Sequence, residues 1–174
     1  VKALFTAPTA IRAVKREDPK GEFFKKYDIS GFETLFLAGE RTDPDTYFWA
    51  TDMLKVPVID HWWQTETAWA ICGNFRGLEE FPIKPGSATM PMPGYDVKIL
   101  DPATAKELGP NENGVIAVKL PLPPANLPTL WNDDKRFVES YMAPFPGYYL
   151  TGDGGYIDEE GYVFVMGRVD DVIN

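Results

Sequence analysis

The chain has 174 residues, 44% of them hydrophobic and 25% charged, enough apolar material for one compact domain or two small lobes, which excludes wholesale disorder. Its 26 acidic against 17 basic side chains give a formal net charge of −9, which argues against nucleic acid or an anionic membrane surface as a partner but leaves room for a local cationic phosphate site. A single cysteine, Cys72, rules out an internal disulfide and favours a reducing compartment, and no apolar run reaches the ~18–20 residues that span a bilayer.

In chain order, Thr9 to Lys15 reads as the opening of a helix with Thr9 as its cap. Leu35 to Ala38 is a short apolar run that meets Gly39, a buried strand entering a loop. Asp43-Pro44 opens a helical stretch to Leu54, an N-cap acid followed by proline at the first helical position. Val56 to Asp60 is a second apolar run, so strand, helix and strand define a βαβ unit with a parallel sheet. From about Gly77 the texture changes: most of the 16 prolines fall here and the apolar segments shorten. Gly94 to Leu100 and Gly114 to Leu120 alternate, and Tyr156 to Val165 reads as a hairpin, so this part is expected to be antiparallel β structure, a small distorted barrel. The four prolines between Leu120 and Pro128 mark a loop. The chain opens on Val1 in an apolar-rich segment and closes on Val172-Ile173-Asn174, so we expect a piece of a larger protein.

The densest polar and aromatic stretch, Asp60-His61-Trp62-Trp63-Gln64-Thr65-Glu66-Thr67, directly follows the second apolar strand. In open α/β sheets ligands gather at the carboxyl ends of strands. Threonine hydroxyls there can donate to phosphate oxygens, and Glu66 offers a hard carboxylate suited to Mg²⁺. A pair of core tryptophans on a capped loop accounts for the same letters equally well. His61 has no visible orienting partner for base catalysis, and Cys72 has no neighbouring cation to activate it. Gly39-Glu40-Arg41 follows the other strand, where a glycine lets a flat ligand approach the backbone. Thr151-Gly152-Asp153-Gly154-Gly155 sets one acid among glycines, either to accept two hydrogen bonds from a diol or as an ordinary Asp-Gly turn.

Taken together, Thr65-Glu66-Thr67, Thr151-Gly152-Asp153 and Gly167-Arg168-Val169-Asp170-Asp171 resemble, in that order, the adenylate-forming enzyme superfamily. Thr6 to Ala13, Ala38 to Arg41, Asp60 to Thr67, Gly86 to Asp101 and Tyr149 to Asn174 are similar to its short-chain acyl-CoA synthetases, the acetyl- and propionyl-CoA synthetase branch.

That resemblance implies ATP-dependent joining of a short-chain carboxylate to coenzyme A through an acyl-adenylate, with Mg²⁺. It implies that Gly39, Glu40 and Arg41 border the adenine, with Asp60, His61, Trp62, Trp63 and Gln64 completing that wall. Thr65 would contact the α-phosphate, Glu66 would hold Mg²⁺, and Asp153 would grip the ribose hydroxyls with Arg168 assisting. Ala7 would lie along the channel for the pantetheine arm, and Asp170 would be the hinge to a C-terminal domain. Trp63 and Ala38 would set acyl length; alanine where acetate users typically carry valine implies propionate over acetate. Ala68 departs from the glycine usual after Thr-Glu-Thr. The implied fold is α/β plus β: residues 1–76 end an α/β subdomain, 77–168 form the antiparallel β subdomain, and 169–174 begin the hinge. The phosphate loop would precede Val1 and the catalytic lysine would follow Asn174, so the 174 residues alone are expected to be inactive and to self-associate through an uncovered face. The expected location is cytoplasmic, or the mitochondrial matrix in a eukaryote. The rival readings are an adenylate-forming enzyme with another acyl acceptor and a non-catalytic module with an aromatic binding face.

Overall fold

A computed structural model describes residues 1–169. Asp170, expected to be the hinge, lies outside the described residues.

The first part is a three-stranded parallel sheet in the order β1 (Ala3–Thr6), β2 (Thr34–Leu37), β3 (Val58–Asp60). Leu35 and Leu37 of β2 are fully buried on one face of this central strand, and Phe36 on the other is half-buried. Helix α1 (Pro8–Glu17) links β1 to β2, and α2 (Pro44–Leu54) links β2 to β3. Ile11, Ala50 and Val58 close over the two leucines to form one core. The expected βαβ unit is therefore present, with β3 starting two residues later than the apolar run because Pro57 has no amide to give the ladder.

Thr9 is not the cap of α1. Ala7 occupies the cap position and makes no side-chain capping bond, because Pro8 already begins the helix. The cap of α2 is as read: Asp43 accepts from the Thr46 amide at 2.8 Å and the Thr46 hydroxyl at 2.7 Å.

The second part contains a four-stranded antiparallel sheet. Its order is β10-β9-β8-β7, with β7 at Asp96–Leu100, β8 at Gly114–Lys119, β9 at Tyr148–Ile157 and β10 at Val163–Arg168. A smaller antiparallel sheet holds β4 (Trp62–Trp63), β5 (Ala70–Gly73) and β6 (Met90–Pro91). One segment ties the two together: Ala88 donates to Val163 and Val163 to Thr89, at 3.0 and 2.9 Å, while the next residues pair with β5. Instead of a simple barrel there are two joined sheets, the larger one open at β7. Ile71 and Cys72 of β5 pack with Ile99, Ile116, Val118, Tyr149 and Val163, so this core already begins in β5, ahead of the proline-rich stretch. Cys72 is fully buried, and burial pushes its thiol well above the ordinary range.

Between β8 and β9, the short helix α3 (Asp134–Phe137) continues into a wider helical turn, Val138–Met142, which lays Tyr141 on Tyr149 of β9.

Because the Asp43 carboxylate satisfies the amide at the start of α2, Asp43→Ala should lower the unfolding free energy by about 1 kcal/mol. Asp43→Asn should lose only a few tenths. Urea unfolding of the three proteins checks both.

Candidate active site

The strands of the parallel sheet end where β9 and β10 cross them, and a cavity of about 580 Å³ opens at that junction. One wall is the loop after β2, Gly39-Glu40-Arg41, with Asp60 and His61 from the end of β3 and Trp62, Trp63 and Gln64 beyond. The other wall is Gly86, Ala88, Asp153 and the end of β10 from Val165 to Arg168.

Asp153 is 7% exposed and lies inside β9, in a strand rather than a turn. The difference comes from irregular pairing: register shifts on both sides of β9 let Gly152 adopt a φ of +76° without leaving the sheet. A buried carboxylate needs donors. Trp62 Nε1 and Gln64 Nε2 both donate to Asp153 Oδ2, at 3.2 and 2.7 Å, and Thr151 Oγ1 accepts from the Asp153 amide. Gln64 is itself held, since Nε2 also donates to the Thr151 carbonyl and Oε1 accepts from the Tyr149 hydroxyl at 2.9 Å.

Two arginines face the cavity over two glycines. Arg41 Nε donates to the Gly86 carbonyl at 3.2 Å, and Arg168 Nη1 donates to that of Thr151 at 3.1 Å. A β-carbon on Gly86 would come within 2.8 Å of the Arg41 guanidinium, and one on Gly152 within 2.7 Å of that of Arg168. Both glycines have positive φ, so the backbone itself favours glycine at each. A chain of net charge −9 thus concentrates two fixed cations at one cavity.

Glu40 lines the cavity and is also engaged at α1. Its carboxylate accepts from the Thr9 amide at 2.9 Å, the Thr9 hydroxyl and Arg12 at 2.7 Å. It thereby caps α1 from the β2–α2 loop. The Thr9 hydroxyl, with help from Arg12 and against burial, holds its carboxyl below the usual range. Asp60 accepts from the Thr42 amide at 3.0 Å, yet burial pushes its carboxyl up to about 6. Burial also depresses the His61 imidazole, which favours its neutral form. Its Nδ1 is buried with no partner among the described residues, and its ring lies 5.3 Å from Phe5 and 6.0 Å from Phe36.

Glu66 does not line this cavity. It sits in a short 3₁₀ turn, Thr65–Thr67, and faces a second concavity of about 340 Å³ that shares Gln64 and Arg168 with the first. Tyr141 donates to Glu66 Oε1 at 2.9 Å. Among the described residues, no three His, Cys, Asp or Glu side chains cluster as a metal cage. A lone carboxylate still fits Mg²⁺, which keeps several waters and takes only one or two carboxylates beside substrate phosphates. A third, apolar cavity of about 380 Å³ is lined by Phe5, Phe36, His61, Trp63, Trp69 and Met92 among others. Trp63 and His61 border both it and the polar cavity.

Three candidate residues fall outside these walls. Thr65 is exposed, Ala7 is exposed at the start of α1, and Ala38 is buried, its amide bonded to Thr6. Sequence reasoning missed Gly86, Met166, Tyr141 and Tyr149. Gly86 carried a readable signal as the glycine opening its motif, and Tyr149 stands two residues before Thr151-Gly152-Asp153; Tyr141 carried none.

Residues 1–123 match the family model described as AMP-binding enzyme, and the chain belongs to that family. Over its whole length it is 51% identical to acyl-CoA synthetase short-chain family member 3, mitochondrial, of Homo sapiens. It is 49% identical to an uncharacterized protein of Pseudomonas aeruginosa and 46% identical to a propionate–CoA ligase of Escherichia coli. The chain spans 25% of the human relative and 28% of each bacterial one.

The raised Asp60 carboxyl has a signed consequence. It takes a proton more readily folded than unfolded, so its contribution is fully present below its ordinary value of 3.8 and is lost as pH rises through about 6. The loss should reach up to about 3 kcal/mol. Asp60→Asn should remove this dependence and unfold later than the parent at pH 7, as urea titrations at pH 4 and pH 7 would show.

Proposed function

We propose that this chain carries the nucleotide-binding part of an ATP-dependent short-chain carboxylate–CoA ligase. One observation carries the reading. A buried carboxylate, Asp153, supplied with donors by Trp62 and Gln64, faces a nucleotide-sized cavity walled by Gly39 and Arg41. Glu66 opens onto the adjoining concavity across Gln64 and Arg168.

In this reading the base lies against Gly39 and Arg41 with Trp62 and Gln64 behind it, and Asp153 accepts from the ribose hydroxyls. Arg168 and Thr65 serve the phosphate end, and Glu66 contributes one ligand to Mg²⁺, which would neutralise phosphate charge when bound. Adenylation turns a carboxylate oxygen into a good leaving group, and coenzyme A then takes the acyl group. The protein's part is to hold the nucleotide still and offset charge that develops on oxygen. Ala7 is assigned to the pantetheine path and Asp170 to a hinge.

Propionate is the proposed acid. The name of the Escherichia coli relative supports it, and Trp63 borders an apolar cavity suited to an aliphatic chain. An exposed aromatic binding face has no comparable support, since Trp62 and Trp63 both line the polar cavity.

Two measurements test the reading in the complete protein that carries this sequence. Tryptophan fluorescence should report AMP binding, and Asp153→Asn should weaken it at least about 10-fold, the loss of one charge-assisted hydrogen bond. An unchanged affinity overturns the assignment. Ala38→Val should move the propionate-to-acetate ratio of kcat/KM toward acetate by about 5-fold or more. A constant ratio would remove Ala38 from the acyl pocket.

A further inference from the structure

The two carboxylates of the proposed site, Asp153 and Glu66, come from different elements, β9 and the turn Thr65–Thr67. A tyrosine serves each, Tyr141 directly and Tyr149 through Gln64. Tyr149 is fully buried, and its hydroxyl donates to Gln64 Oε1 at 2.9 Å. That bond fixes the amide: with Oε1 committed to an O–H donor, Nε2 is left to point at Asp153 Oδ2 and the Thr151 carbonyl, both at 2.7 Å. Tyr141 donates to Glu66 Oε1 at 2.9 Å. The two rings lie parallel, 8° apart in plane with centroids 5.6 Å apart.

We infer that Tyr141 and Tyr149 are a stacked pair of positioning residues, Tyr149 setting Asp153 through Gln64 and Tyr141 setting Glu66. The inference rests on the reading of the site given above and extends it to two side chains that touch neither reacting atoms nor, in the case of Tyr149, solvent. Tyr149 lies at the start of β9 and Tyr141 on the turn packed against it, so the stack fixes the spacing between the ribose side and the phosphate side of the site. A bare packing role would not require both hydroxyls to end on site residues.

Tyrosine to phenylalanine keeps each ring and removes one hydroxyl, which separates positioning from packing. In the complete protein, Tyr149→Phe should raise the Kd for AMP, measured without divalent metal, about 5- to 10-fold. Tyr141→Phe should leave that value within about 2-fold. With Mn²⁺ as probe and ATP bound, electron paramagnetic resonance should show the reverse order: weaker metal retention in Tyr141→Phe and little change in Tyr149→Phe. Gln64→Glu sets a carboxylate against Asp153 and should weaken AMP binding more than either phenylalanine does. Equal shifts in both quantities for both phenylalanine variants, or none in either, would overturn the inference while leaving the nucleotide site intact. A parent protein that binds no AMP would instead bring down the reading of the site and the inference with it.

Discussion

A carboxylate buried in a protein must be given hydrogen-bond donors, and Trp62 and Gln64, about ninety positions earlier, donate to Asp153. Those bonds tie the segment leaving the parallel sheet to β9. The cavity is what remains at that seam, where the carboxyl ends of β2 and β3 meet the crossing strands β9 and β10. The position is the one expected for ligands in an open parallel sheet, but here a second sheet supplies half the wall.

Electrostatics at the seam differ from those of the chain as a whole. Arg41 and Arg168 each lie across a positive-φ glycine, line the cavity and donate to backbone carbonyls. Glu40 is drawn off to the start of α1 by Thr9 and Arg12, so its charge is compensated away from the ligand space. What a nucleotide would meet is therefore backbone at Gly39, a guanidinium at Arg41 and an acid at Asp153, three different chemistries for base, charge and sugar.

Much of this was legible in the letters because the elements follow local rules. Asp43-Pro44 announces a helix start for reasons confined to one turn, and the apolar runs ending at Gly39 and Asp60 announce buried strands. The loops at their ends are site candidates by topology alone. Features set by distant contacts were not legible. Thr9 looked like a cap because it precedes an apolar helix face, but Pro8 fixes the start one residue earlier and Glu40 takes Thr9 for itself. Asp153 looked like a turn residue because glycines flank it; only the register shifts around β9 show that those glycines accommodate irregular pairing and an overlying arginine. The role of Glu40 is likewise set by a helix more than twenty residues away.

The position of Glu66 makes the same argument from the other side. Adjacent in sequence to residues that line the polar cavity, it nonetheless faces a separate concavity, because the 3₁₀ turn Thr65–Thr67 swings the chain round after Gln64. Thr67 stabilises that turn, its hydroxyl accepting from the Gln64 amide and its own amide donating to the Gln64 carbonyl at 3.1 Å. Gln64 thus stands at the partition with its backbone in the turn and its side chain in the strand contact. A ligand that reaches both concavities must pass Gln64, as the proposed nucleotide with its phosphates would.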